Sequence, residues 1–184
     1  MGTDMADAEL VLKFQGGQAE AFDDLVRRYM RDAFSFCMRL TGRADEAEEL
    51  SQEGFVTAYR ALRGFRGEAS FRSWLFRILI NRWRDRRRSR RREDARMELV
   101  KADVESRGAY SGELGELDAG ELGDVVKSRV QDLPDRQREV LVLHVYHGMS
   151  HHEVAGVLGC SYDDVKMNLS LARKRLRETM KGYL

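Results

Sequence analysis

Between Arg82 and Arg92 the chain carries eight arginines against one acid, Asp85. Guanidinium groups at that density do one kind of chemistry well: they hold phosphate, through paired planar hydrogen bonds and a charge that never titrates away. Overlapping the run, Arg77, Asn81, Arg84 and Arg88 recur at spacings of four, three and four, which on a helix makes a single stripe. Two readings fit such a stripe: a solvated charged face, or a rigid helix laid along a phosphate backbone with Phe71 and Trp74 fixing its angle. A second concentration is acidic. Asp45, Glu48, Glu49, Gln52 and Glu53 share one side of a helical segment. Carboxylates at a helix start interact with its dipole by about 0.3–1 kcal/mol each, and the same face can dock a basic partner.

Other chemistry is poorly supported. His144, His147, His151, His152 and Cys160 crowd one short segment, and a spacing of three brings His144 and His147 to one helix face, as a metal-ligand pair requires. Gly148 interrupts that helix, turn and surface roles account for the imidazoles, and neither metal nor cofactor is expected. There is no glycine-rich phosphate loop, and the lone serines and cysteines show no evident base and orienter, so no enzyme is expected. Cys37 and Cys160 form no CxxC pair and read as reduced, buried thiols. The start MGTDMADAEL has no basic flank and no apolar run, and Ala6 stands where myristoylation needs Ser or Thr. No apolar stretch approaches the roughly 20 residues of a membrane span, so the chain reads as cytoplasmic, without membrane insertion.

The elements that position these groups are helical. One proline in 184 residues and 42% apolar side chains predict an all-α protein of one or two domains. A first helix is expected over 6–15, then a turn at Gly16 to Gln18. A long helix follows, with Phe22, Leu25, Val26, Tyr29, Ala33, Cys37 and Leu40 on one face, ending near Gly42. A third helix runs from about Asp45 to Leu62 and turns Ala47, Leu50, Gly54, Phe55, Ala58 and Leu62 inward. The arginine-bearing helix starts with Phe71, Trp74, Leu75 and Ile78 on its buried face, and nothing marks its end. The formal charge of +1 hides opposed blocks: residues 82–92 sum to +7 and residues 93–126 to −7. The second block, rich in glycine and acid, predicts a flexible linker that could lie across the arginines. The expected division is an N-terminal domain over 1–92, an acidic linker over 93–126 and a C-terminal domain over 127–184.

The C-terminal block predicts a helix-turn-helix. Pro134 opens a helix with an apolar run through Val140, Leu141, Leu143 and Val145. Ser150 with Glu153 fits a capping box and Ser161 with Asp164 an acidic variant of it, while Val165, Leu169, Ala172 and Leu176 form the seam of the last helix.

Taken together, FDDLVRRY, DEAEELSQEGFVTAYRAL, FRGEASFRSWLFRILINRWRD and LPDRQREVLVLHVYHGMSHHEVAGVLGCS resemble, in order, the sequence blocks of the bacterial RNA polymerase sigma factors of the extracytoplasmic-function (ECF) group of the sigma-70 family. The resemblance covers nearly the whole chain. It implies that the acidic face of Asp45, Glu48, Glu49, Gln52 and Glu53 docks on the beta-prime clamp helices of core polymerase, the C-terminal domain meeting the beta flap. It implies that the loop around Arg66, Glu68 and Ser70 captures an unstacked base of the minus-ten promoter element. Phe71, Trp74, Arg77, Asn81, Arg84 and Arg88 then belong to the surface facing that DNA. It implies further that Ser161, Tyr162, Asp163, Lys166, Asn168, Ser170 and Arg173 read the minus-thirty-five element, and that an anti-sigma factor controls the protein.

The sequence departs from the family pattern in the recognition helix. Asp163 and Asp164 precede Val165 and Lys166, and Asn168 and Leu171 stand where the family often has arginine, which implies a weakened or retuned grip on the major groove. The alternative is a stand-alone helix-turn-helix regulator with an N-terminal sensing or dimerisation domain; it leaves the acidic and arginine-bearing helices without specific roles.

Overall fold

Helical spacing of apolar side chains builds every element of the computed structural model, which describes residues 6–100 and 119–181. Helix α1 (Asp7–Gln15), α2 (Ala21–Thr41), α3 (Ala44–Ala61) and α4 (Phe71–Val100) form the N-terminal unit. Helix α5 (Ala119–Gln131), α6 (Asp135–Leu141), α7 (His151–Leu158) and α8 (Tyr162–Thr179) form the C-terminal one, with a π turn over Val142–Tyr146. Among the described residues there is no strand.

The N-terminal unit packs as its periodicities dictate. Leu25, Ala33, Phe36, Cys37 and Leu40 of α2 are buried against Ala47, Leu50 and Ala58 of α3, and Leu75, Phe76, Leu79 and Ile80 of α4 close the core. Phe36 and Phe76 stack in parallel, with centroids 4.7 Å apart. Burial pushes the Cys37 thiol up to about 12, so it is a small core hydrophobe rather than a nucleophile. Cys160 is half-buried, and both cysteines are free. Gly54 fixes how near α3 and α4 come: a Cβ there would stand 2.2 Å from a Leu79 methyl.

Two expectations need correction. The linker expected over 93–126 is helical at both ends, since α4 continues to Val100 and α5 begins at Ala119. EDARMELV, after the arginines, contains neither glycine nor proline and consists mostly of good helix formers, so the helix has no reason to stop at Arg92. Within that block residues 101–118, with five of its ten acids, fall outside the described residues, and so does the expectation that they lie across the arginines. The buried face of α4 was also read too narrowly. Phe76, Leu79, Ile80 and Trp83 are buried along with Phe71 and Leu75 because α4 is covered from two sides, by α2 and α3 and by the C-terminal unit.

Both expected capping boxes are present. The Ser150 and Ser161 hydroxyls accept from the Glu153 and Asp164 amides, and each carboxylate accepts from the amide of its serine. The Ser161 hydroxyl, which donates to Asp164 at 2.7 Å, and then the Ser161 amide hold the Asp164 carboxyl below its usual range, and the Ser150 amide does the same for Glu153. Gly159, at φ +62°, makes the left-handed turn between α7 and α8.

A methyl group at the α3–α4 contact tests this packing. Gly54→Ala is expected to destabilise the protein by about 1–3 kcal/mol through overpacking, and the double variant Gly54→Ala/Leu79→Ala to lose less than the two single changes added together. Thermal denaturation followed by circular dichroism measures both, and strict additivity would show that the two sites do not touch.

Candidate nucleic-acid interface

Helix α4, about 45 Å long at 1.5 Å per residue, carries its arginines on two sides rather than one. At 100° per residue, Arg82, Arg86 and Arg90 share one stripe, while Arg77, Asn81, Arg84, Arg87, Arg88 and Arg91 lie around the opposite side. The first stripe meets the acidic face of α3. Arg86 pairs with Glu53 at 2.9 Å and Glu49 at 3.4 Å, Arg90 with Glu46 at 2.9 Å, and Arg82 donates to the Thr57 hydroxyl. Asp45, Glu48, Glu49, Gln52 and Glu53 are all exposed, as expected. Part of their charge is met within the fold: Asp45 pairs with Arg43, whose hydrogen bond holds its carboxyl below the usual range, and Gln52 donates to Glu48.

The second stripe meets the C-terminal unit. Arg84 grips Glu139 of α6 with two parallel hydrogen bonds of 2.6 Å, and Glu139 is 2% exposed. That hydrogen bond, ahead of the charge attraction, raises the pKa of Arg84. Arg87 and Arg91 take the two oxygens of Asp135 at 2.7 and 2.8 Å. Nearer the start of α4, Arg77 donates to the Gly156 carbonyl and Arg72 to that of His147. Of the DNA-facing stripe read from the sequence, Arg77 and Arg84 are therefore engaged by the C-terminal unit, Asn81 is exposed, and Arg88 pairs with Asp85 on its own helix.

The contact continues past α4. Gln131 and Arg138 donate to the Arg39 and Leu40 carbonyls, at the end of α2, where carbonyls have no donors within their own helix. Arg138 is 5% exposed and also donates to the Gln131 and Leu133 carbonyls; burial lowers its pKa. His147 enters the aromatic pair of the N-terminal core, edge-on to Phe36 and Phe76 at 5.3 and 5.0 Å. Burial first, and then the charge of Arg72, push its pKa down to about 4. The sequence reading placed His147 in a surface turn and paired it in spacing with His144. The π turn separates them, and His144 instead hydrogen-bonds the Met149 carbonyl and lies against His151. The same turn leaves Val145 exposed, although it was expected in the apolar run.

The loop before α4 is held from below. Gln15 of α1 donates to the Leu62 and Phe65 carbonyls, and Ser70 accepts from the Ser73 amide, starting the helix. Phe65, Arg66, Ser70 and Phe71 line a cavity of about 420 Å³ with Asp7 and Gln15. Arg66 and Glu68 are exposed, and Trp74 is half-buried against Phe65. Phe71 is corrected as a DNA contact. It is 2% exposed, packed on Tyr29 and Trp74, so it supports the surface from beneath.

On α8, Ser161 and Asp164 are occupied in the cap, and Asn168 donates back to the Asp164 carbonyl. Tyr162 packs against His152, with the Lys166 ammonium 5.8 Å from its ring, and Asp163, Ser170 and Arg173 are exposed. Met167 and Leu171 add exposed apolar surface to the same helix. Of the groups joining the two units, the sequence reading missed Glu139, Asp135, Arg138, Gln131, Arg72 and the insertion of His147. One signal was available: Asp135 and Glu139 are four apart, a spacing that complements Arg84, Arg87 and Arg91.

Known proteins share this architecture. Residues 25–93 match the sigma-70 region 2 family and residues 124–176 the sigma-70 region 4 family. The whole chain aligns at 32% identity with 98% of the RNA polymerase sigma-H factor of Pseudomonas aeruginosa, and at 26% identity with all of the ECF RNA polymerase sigma-E factor of Haemophilus influenzae. A co-crystal structure of the sigma factor RpoE with the anti-sigma factor NepR from Bartonella quintana superposes with a TM-score of 0.70, at 27% identity over 88% of this chain and 98% of that one. CnrH, in complex with the cytosolic domain of CnrY, gives 0.69 at 31% identity over 96% and 98%.

The buried imidazole makes the packing of the two units pH-dependent. With a pKa near 4 when packed and 6.5 when released, His147 adds no protonation cost well above pH 6.5. As pH falls from there towards 4, the unfolded chain takes up a proton that the packed state refuses, and stability declines by at most about 1.4 kcal/mol per pH unit. Urea denaturation of the wild type should show this loss between pH 7.5 and 5, and His147→Phe should flatten it; equal slopes for the two chains would refute the assignment.

Proposed function

Because the chain belongs to the sigma-70 family, as an ECF sigma factor that binds RNA polymerase core and directs promoter-specific initiation, we propose that its opposed charged surfaces divide that work. The outward acids of α3 dock on the beta-prime clamp helices of core polymerase, where charge complementarity sets association rate and register. The loop over Arg66, Glu68 and Ser70 takes an unstacked minus-ten base. Arg77, Asn81, Arg84 and Arg88 hold the strands being separated, with sequence-independent affinity that comes from counterion release. Helix α8 sits in the major groove at the minus-thirty-five element, contacting it through Tyr162, Asp163, Lys166, Ser170 and Arg173, with the C-terminal unit on the beta flap. Asp164 and Asn168 are spent on the helix itself, which supports a retuned groove reader. An anti-sigma factor is the expected regulator, since the sigma factor RpoE of Bartonella quintana is found in complex with the anti-sigma factor NepR. Among the described residues no helix is long and apolar enough to cross a membrane.

The observation that carries this reading is the two-sided charge of α4. One stripe braces the acidic helix, and the other is a row of guanidiniums on the helix that begins at the cavity of the loop.

Glu48 and Gln52 point outward without a tie to α4, so they test docking without loosening the fold. The variant Glu48→Lys/Gln52→Lys should bind core polymerase at least about tenfold more weakly, a modest estimate for like charges brought together at an interface, and should melt at the wild-type temperature. Wild-type affinity for core would defeat the docking assignment.

Arg77→Ala with Arg88→Ala should slow open-complex formation and lower the slope of log affinity against log salt by about one unit for each phosphate no longer neutralised. An unchanged slope in a salt titration of promoter binding by the holoenzyme would return these arginines to a merely solvated face.

A further inference from the structure

We infer that the cavity bounded by the end of α2, the start of α3, the middle of α4 and the C-terminal unit is a binding site for a free, compact phosphoryl anion of the diphosphate class. Four arginines line it, Arg86, Arg87 and Arg90 from α4 and Arg138 from α6, against one carboxylate, Glu46. None of the residues assigned to promoter DNA or to core polymerase is among its walls. Its volume of about 240 Å³ falls below the roughly 300–1,000 Å³ of sites that take drug-sized ligands, so its occupant is small.

Guanidiniums gathered this closely repel one another, and the fold relieves them only in part. Arg90 gives one nitrogen to Glu46 at 2.9 Å, Arg87 one to Asp135 at 2.7 Å, and Arg86 reaches Glu53 and Glu49 outside the cavity. Arg138 is 5% exposed and carries its charge into the core. Its two terminal nitrogens are spent on the Leu40, Gln131 and Leu133 carbonyls and the Gln131 side chain. Its Nε is buried without a hydrogen-bond partner among the described residues, and so is the Nε of Arg87. Capping α2 therefore accounts for the ends of Arg138 but not for this third donor. A buried donor of a charged group, left unpaired beside a second one, calls for an anion. Burial first, and then the charge of Arg87, lower the pKa of Arg138, which places the two guanidiniums within reach of one ligand.

Trp83 fixes the geometry. It is 3% exposed, and the guanidinium carbons of Arg87 and Arg138 stand 5.6 and 5.8 Å from its ring centroid. Planar forks held on one indole, and contributed by two helices, are preorganised for an acceptor with oxygens pointing several ways. A carboxylate offers its oxygens in one plane and satisfies one fork. A diphosphate can meet the forks of α4 and α6 together. The ligand thus bridges the two units, and by binding the folded chain alone it stabilises that chain.

Isothermal titration calorimetry tests the site with inorganic pyrophosphate and the full-length chain, at a fixed ionic strength of about 0.15 M, where long-range attraction is screened. One saturable site per chain is expected, tighter for pyrophosphate than for sulfate. Arg90→Gln should weaken it by about tenfold, the usual worth of a hydrogen bond to a charged group. Glu46→Gln should tighten it several-fold, because it removes the carboxylate that competes for Arg90. Arg92→Gln makes the same change in net charge at an exposed residue outside the cavity and should leave the affinity unchanged. Excess pyrophosphate should raise the melting temperature of the wild type and not that of Arg138→Gln; if Arg138→Gln does not fold, the opposed shifts of the Arg90 and Glu46 variants decide. A labelled oligothymidylate separates a free anion from a nucleic-acid phosphate, since saturating pyrophosphate should not displace it at that ionic strength. Displacement would assign the cavity to nucleic acid and overturn the free ligand. No saturable binding, or a loss in Arg92→Gln equal to that in Arg90→Gln, would overturn the site.

Discussion

Eight guanidinium groups on the eleven residues 82–92 repel one another along a single helix, and anions that meet them from more than one direction relieve that repulsion. Like charges one turn apart oppose the helix by a few tenths of a kcal/mol per pair, and here they recur along the whole length of the run. Carboxylates meet them on two flanks, from α3 on one and from α6 on the other. Most of the other long-range features follow from that requirement. The acidic helix stands where it does because α4 braces it, and the C-terminal unit packs where it does because its first carboxylates find the second stripe.

The apolar core makes these ion pairs effective. On an open surface each would contribute little, about 0–1 kcal/mol after screening. Arg84 and Glu139 meet at the edge of a core that runs without interruption from Phe36 and Phe76 through His147 to the C-terminal unit. There Glu139 is shielded from water while Arg84 stays partly exposed, and loss of Arg84 would leave the buried carboxylate with Arg136 alone. Arg138 keeps its charge but is satisfied by carbonyls rather than carboxylates, and it meets the otherwise unpaired carbonyl end of α2 while doing so. Packing, capping and ion pairing thus converge on one seam between the two units.

That seam changes how a sigma factor's charged surfaces can be read. The α3 face is exposed but partly neutralised from within, so its outward members Glu48 and Gln52 are distinct from Glu49 and Glu53, which also hold α4. The stripe that we propose faces DNA is likewise divided between Arg77 and Arg84, engaged by the C-terminal unit, and Asn81 and Arg88, which are not. On the recognition helix, Asp164 caps and Asn168 hydrogen-bonds its own backbone, leaving fewer side chains for the groove than the sequence suggests.

The sequence by itself determined the helices, because a 3.6-residue period, a capping serine with an acid three residues on, and a left-handed glycine are local instructions. The end of α2 at Gly42, the inward seam of α3 from Ala47 to Leu62, and both capping boxes were legible on that ground. The sequence blocks likewise carried the family resemblance and, through it, the partners. Only the tertiary structure decided what each helix faces. Periodicity records that a residue is apolar, not how many neighbours will cover it, so Phe76, Leu79, Ile80 and Trp83 were invisible as a second buried side of α4. A π turn shifts every later side chain around the axis, so His147 became a core residue and Val145 an exposed one. The partner of a charge is chosen across dozens of residues, by geometry that no local pattern encodes. The charge of α4 was plain in the sequence; that acids of α3 and α6 would answer it followed only from the way the chain folds back on itself.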